Sequence, residues 1–199
     1  MNKKRSLSFL KLSVNYLHSV NNAVEELIKQ GNKGYLVFSI PFTDEEYEEG
    51  IKWADFNIAE PLFFNFYHGL ELMMKGYLMY KNIEAVNNGH EIQKLYENFC
   101  NYYSGYNNTI TTLKKYIGSG SNLIEPLKSF FNDNNIDSNA YYEALKYPER
   151  RKSIKPYEYD KLKDLGEKAI GFYRQLSQDI SLLIKETVTF GRNNLEGLK

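Results

Sequence analysis

The chain has 199 residues, and 25 Lys plus Arg stand against 25 Asp plus Glu, so its formal net charge is zero with neutral histidines. A global pull toward nucleic acid or an anionic membrane is thereby excluded, and any such attraction has to come from a local patch. The single cysteine, Cys100, rules out an intrachain disulfide and a cysteine metal knuckle, and it fits a cytoplasmic location.

The chain starts MNKKRSLSFL, a basic head like that of a signal peptide. Lys11, Ser13 and Asn15 interrupt the apolar residues behind it, so no cleaved leader is expected. No unbroken apolar run reaches the roughly 18 residues that a membrane-spanning helix needs, so no membrane partner is expected either. Seventeen tyrosines and twelve phenylalanines imply an aromatic core, with tyrosine hydroxyls finding partners at its edge.

In chain order, Leu10, Val14, Leu17, Val20, Val24, Leu27 and Ile28 recur at helical spacing and predict a helix over the first thirty residues. The turn Gly31-Asn32-Lys33-Gly34 closes it. Tyr35 to Ile40 is short and β-branched and ends at Pro41, so it reads as a strand or an extended arm. Thr43 followed by Glu46 is a capping box, which predicts a helix starting near Asp44. The acids Asp44, Glu45, Glu46, Glu48 and Glu49 read as its solvated first turns.

A long helix is predicted from Glu60 to Lys81, with Pro61 in its first turn. At 100° per residue, Leu62, Phe63, Phe66, Leu70, Met73, Tyr77 and Tyr80 share one broad face. Asn57, Glu60, His68, Glu71 and Lys75 form a narrow polar stripe opposite, flanked by Phe64, Tyr67, Leu78 and Met79. Both sides of this helix are therefore expected to touch protein. Gly69 and Gly76 lie two turns apart on one flank, and close approach of another helix would offset their cost of about 1 kcal/mol each.

After a turn at Asn87-Asn88-Gly89, His90 opens a helix carrying Ile92, Leu95, Phe99 and Tyr103. Ser104 to Asn108 breaks it, and a short helix with Ile110, Leu113 and Ile117 follows. Another is predicted from Leu123 to Phe131, then a polar loop from Asn132 to Asn139. The last helix is predicted from Glu158 to Val188, with Leu162, Leu165, Ala169, Phe172, Leu176, Ile180 and Leu183 buried. The fold class is all-α, an antiparallel helical bundle. It divides into an N-terminal helix and arm (1–42), the bundle (43–190) and a C-terminal tail (191–199).

The stretch Phe64 to Leu78, reading FNFYHGLELMMKGYL, is followed by Gly89-His90-Glu91-Ile92-Gln93-Lys94-Leu95. Together with Leu145-Lys146-Tyr147-Pro148 before a long last helix, these residues resemble the HEPN superfamily across roughly residues 43–188. The resemblance implies a homodimer-forming bundle of bacterial defence, toxin–antitoxin or RNA-processing systems. Many members are metal-independent ribonucleases carrying an Arg-x4-6-His signature. Here the histidines are His18, His68 and His90, and the arginines Arg5, Arg150, Arg151, Arg174 and Arg192. Only Arg5 precedes a histidine, and it stands too far from His18, so that signature is missing.

His68, Glu71 and Lys75 share one helix face. They are the candidate catalytic residues, with His68 as proton carrier. The plainer reading is a structural hydrogen-bonded ladder between aromatic neighbours. The three histidines lie on separate elements, so neither a metal nor a cofactor is expected. Gly89 and His90 read as a structural turn, and Cys100 as packing.

Lys146 to Tyr159, reading KYPERRKSIKPYEY, carries Lys146, Arg150, Arg151, Lys152 and Lys155 interleaved with tyrosines such as Tyr147. Arginines on phosphate and tyrosines under bases would make it an RNA-binding strip, and the alternative is an exposed basic loop. The expected function is a non-catalytic binding or regulatory module for RNA, a nucleotide or a protein partner. The competing expectations are a divergent ribonuclease using His68 and Glu71, and a purely structural dimerisation module.

Overall fold

Two glycines organise the molecule. In the computed structural model, which describes residues 2–34, 43–83, 91–118, 122–147, 156–163 and 165–195, helix α1 (Asn2–Gln30) runs antiparallel along α3 (Asp55–Tyr80). Ser6 Oγ donates to the Gly76 carbonyl at 2.7 Å, and Ser13 Oγ donates to the Gly69 carbonyl at 2.8 Å. A Cβ on Gly76 would stand 2.6 Å from Leu10 Cδ2 and 3.2 Å from the Leu10 nitrogen. The small residues let the backbones approach, and Leu10 and Leu17 fill the space above them. The helix that the glycines require is α1, so the N-terminal segment shares the core of the bundle.

The remaining elements are α2 (Asp44–Ile51), α4 (Ile92–Tyr102), α5 (Asn107–Ile117), α6 (Leu127–Asn134), α7 (Ser138–Ala144), a 3-10 turn at Gly166–Ala169 and α8 (Ile170–Leu195). Among the described residues there is no strand, and the chain is an all-α helical bundle. No described helix is long and apolar enough to cross a membrane. The expected strand at Tyr35 to Ile40 and the turn at Gly89 and His90 lie outside the described residues.

The Thr43 capping box forms in both directions, and the five acids of α2 are exposed. Helix α3 is buried on nearly every side from Leu62 to Met79, as both-sided contact predicts. It begins at Asp55 rather than Glu60, however, and Pro61 is seated inside the helix, past its first turn. The reason is a cap supplied from afar. Asn32, left-handed at φ 49° just past α1, accepts from the Asp55 backbone N–H at 2.7 Å and donates to Asp55 Oδ2 and to the Gly166 carbonyl, each at 2.8 Å. Asp55 Oδ2 also accepts from the Leu165 N–H at 3.1 Å. Both side chains are fully buried, so one polar node ties together the end of α1, the start of α3 and the lead into α8.

That node also corrects the last helix. Gly166 has φ 61°, a left-handed turn where a continuous helix was expected, and residues 158–163 form a non-helical segment and a turn instead. Helix α8 then runs on to Leu195, and its buried Phe190 packs on Tyr77 with ring centroids 4.2 Å apart. The first five residues of the expected tail, 191–195, are thus helical. The polar stretch from Asn132 to Asn139 is likewise no simple loop. It holds the end of α6, a left-handed Asn135 and Asp137, which caps α7 by accepting from the Ala140 N–H. Asn134 is fully buried and exchanges two hydrogen bonds with the Glu158 backbone, so its polarity serves to clamp that segment.

Tyrosine hydroxyls bridge the helices much as the composition implies. Tyr67 donates to the Tyr116 carbonyl, Tyr103 to the Tyr77 carbonyl and Tyr116 to Asp179 Oδ2. Asp179 of α8 also takes Lys115 Nζ at 2.8 and 2.9 Å, so a buried carboxylate joins α5 to α8.

Candidate functional site

Phe64, His68, Glu71 and Lys75 stand at helical intervals along one flank of α3, and the structure separates them by depth. Lys75 Nζ meets Glu71 Oε1 at 2.6 Å, with the two side chains only 10% and 4% exposed. This pair is sealed into the protein. Charges so placed persist because each compensates the other's lost hydration. His68 lies nearer the surface, 26% exposed, and its Nδ1 is 3.8 Å from Glu71 Oε2, beyond hydrogen-bonding distance. With Glu71 committed to Lys75, the stripe holds a buried ion pair below an accessible imidazole.

Aromatic rings hold that imidazole. Tyr16 of α1 meets His68 edge-on at 4.7 Å and 84°, and Phe64 lies parallel to it at 6.3 Å and 3°. Lys146, in the turn after α7, places Nζ 5.8 Å from the Phe64 ring centroid. The fold therefore joins two features that are far apart in the chain. The first residue of the basic strip stands over Phe64, the ring that lies parallel to the histidine of the polar stripe. Tyr147 follows at 52% exposure. The result is a surface corner of aromatic edges, an imidazole and an ammonium group, above the buried Glu71–Lys75 pair.

The rest of the sequence candidates fall elsewhere. Arg150, Arg151, Lys152 and Lys155 lie outside the described residues, as do Gly89 and His90. Tyr157 and Tyr159 are half-buried against the core. The Tyr159 hydroxyl donates to the Ala144 carbonyl, and burial pushes its pKa up to about 12. Tyr159 braces the end of α7 with Tyr157 against its ring, and Tyr147 is the exposed ring of the strip. At the lower end of the stripe, Glu60 pairs with Lys163 at 2.7 Å, and Asn57 Nδ2 donates to the Ile51 carbonyl, so both serve the fold. Burial likewise pushes the Cys100 thiol up, away from the thiolate that a nucleophile needs.

Sequence reasoning missed Tyr16 as a neighbour of His68. Its contact is made across two helices, and no spacing in the chain announces it. Phe64 was legible as the residue one turn before His68, though its role beside Lys146 was not.

A depression of about 140 Å³ lies between α1 and α3, lined by Ser19, Ala23, Ile58, Pro61 and Asn65 among others. A second, of about 340 Å³, lies at the start of α5 beside Asn107, Asn108, Thr109 and Glu186. Among the described residues, no group of three or more His, Cys, Asp or Glu side chains is placed to hold a metal ion.

No known family model, curated protein or solved structure matches the chain. The chemistry of the site is therefore read from its own side chains. A half-buried imidazole with aromatic neighbours can offer its open edge to a planar ligand, and Lys146 can hold an anionic group near it. Neither depression is lined by these side chains, which fits a surface contact better than enclosure of a whole ligand.

Proposed function

We propose that this chain is a helical binding module whose ligand is single-stranded RNA. A base would stack at the His68–Phe64–Tyr16 corner, and the backbone phosphate would follow Lys146 into the basic strip. The observation that carries this reading is Lys146 over Phe64, which brings cation and aromatic ring together beside His68. The HEPN-like resemblance of the same stretch supports it, and from that resemblance alone come the expectations of a homodimer and a defence-type setting.

The chemistry favours binding over cleavage. A proton-transfer dyad needs its members within hydrogen-bonding reach. Here Glu71 is bonded to Lys75 and lies 3.8 Å from His68.

Titration of a fluorescent single-stranded RNA oligonucleotide at low salt tests the proposal. His68→Ala and Lys146→Ala should each weaken binding about tenfold, since a stacked base is worth about 1–3 kcal/mol. Equal binding by both variants overturns it. Metal-independent cleavage of the RNA that His68→Ala abolishes would replace it with an acid–base ribonuclease. Sedimentation equilibrium checks the dimer.

A further inference from the structure

Although the chain is neutral as a whole, its charges are segregated. Residues 2–24 contain Lys3, Lys4, Arg5 and Lys11 and no acid at all. On the outer side of α1, Lys4, Ser8, Lys11, Asn15, His18 and Asn22 are all exposed. Their alternating spacing of four and three makes one straight stripe. Helix α8 carries a matching stripe of Arg174, Gln178, Ser181, Lys185, Thr189 and Arg192, again all exposed. Its two acids lie elsewhere. Asp179 is bonded to Lys115, and Glu186 borders the depression at the start of α5.

The two stripes share a face. Helix α1 runs antiparallel to α3 with Ser6 at Gly76, whereas α8 runs parallel to α3 with Phe172 near Phe63 and Phe190 near Tyr77. Helix α8 therefore lies antiparallel beside α1, against which it packs. These registers set Lys185 level with the stretch between Lys4 and Lys11, Arg192 level with Lys3 and Lys4, and Arg174 level with His18. On α8, Phe172, Phe190 and Asp179 point to α3 and α5, so the exposed stripe is turned outward next to that of α1.

Among the described residues, none of Lys4, Lys11, Arg174, Lys185 and Arg192 makes an ion pair. Five of the 25 acids stand together on α2 instead. Like charges held together in this way repel one another until a polyanion covers them.

We infer that the α1–α8 face binds the phosphate backbone of duplex nucleic acid. Each stripe spans 18 residue steps from its first to its last member, about 27 Å, or about eight base pairs of a duplex. Between the cations stand Ser, Asn, Gln and Thr, the side chains that join Lys and Arg in contacting phosphate and sugar. A membrane surface would require a row of large apolar residues beside the cations. Here Leu12, at 45% exposure, is the exposed large apolar residue of α1, and α8 contributes none. A single strand would require a series of aromatic platforms for successive bases, and the two stripes carry no Phe, Tyr or Trp, with His18 their one ring. A duplex keeps its bases stacked inside and presents phosphates alone, which this face can meet.

The inference does not depend on the ligand at the His68 corner. The triple variant Lys11→Gln, Lys185→Gln, Arg192→Gln removes exposed, unpaired cations, so the circular dichroism of the wild type should be retained. The probes are a 20-base-pair duplex, a single strand of the same length and phosphatidylserine vesicles, each titrated across a salt series. The wild type should bind the duplex with a log–log salt slope of about −4, as for about four neutralised phosphates. In the triple variant binding should fall at least tenfold, with a slope shallower by about 3, whereas Lys146→Ala should leave duplex binding as it is. Equal duplex affinity in the triple variant overturns the inference. So does binding to vesicles or single strands without binding to the duplex, or failure of the wild type to bind the duplex at low salt.

Discussion

Ser6 Oγ donates to the carbonyl oxygen of Gly76 at 2.7 Å, and this contact, repeated two turns along by Ser13 and Gly69, sets the spacing of α1 and α3. A Cβ at Gly76 would collide with the Leu10 side chain and press on the Leu10 backbone nitrogen at 3.2 Å, whereas at Gly69 the nearest atoms belong to the Leu17 and Tyr16 side chains. Gly76→Ala should therefore destabilise the protein by about 1–3 kcal/mol through overpacking, despite alanine's higher helix propensity. Gly69→Ala should cost less. Urea denaturation measures both, and a Gly76→Ala protein as stable as the wild type would contradict the packing described.

The buried Glu71–Lys75 pair predicts a different signature. Glu71→Ala leaves Lys75 buried without that partner and should cost about 3 kcal/mol. The double variant Glu71→Ala, Lys75→Met should recover most of that loss, because no buried charge remains. A double variant as unstable as the single one would show that the pair is not the issue.

The Asn32–Asp55 node is the third test. Asn32→Ala removes an acceptor for the Asp55 N–H and donors to Asp55 and Gly166, and it places alanine at a left-handed φ. The expected loss is about 3 kcal/mol or more. Asn32→Gly should be slightly milder, since it relieves the backbone only. Thermal melts of the two variants, compared with wild type, decide the matter; a loss under about 1 kcal/mol for Asn32→Ala would be too small for three buried bonds.

Alkaline pH should unfold the protein cooperatively. Burial raises the hydroxyl pKa of Tyr67, Tyr77, Tyr116, Tyr141 and Tyr173 above the ordinary value near 10. Above that pH the unfolded chain releases these protons and the folded chain keeps them, so the unfolded state binds fewer protons. Stability is thus fully present below about pH 10 and falls as pH rises, by about 1.4 kcal/mol per pH unit for each such tyrosine. Phenolate absorbance and far-UV circular dichroism should change together. Ionisation of all 17 tyrosines near pH 10 with helicity intact would rule this out.

Local chemistry determined a good part of this molecule from the sequence alone. The helical period placed α1 and the body of α3, and the Thr43–Glu46 box placed α2, because period and capping act within a few residues of chain. The spacing of Gly69 and Gly76 called for a closely packed helix, and the neighbourhood of His68, Glu71 and Lys75 followed from their intervals.

Tertiary structure decided what those features meet. It chose α1 as the helix against the glycines, and it set the starts of α3 and α8 through Asn32 and Asp55, partners 23 residues apart. It sealed Glu71 with Lys75, left His68 near the surface and brought Lys146 over Phe64 beside it. It also aligned the cations of α1 and α8 on one face. Each of these depends on groups distant in the chain, whose meeting is set by how the helices pack, and no local spacing carries that information.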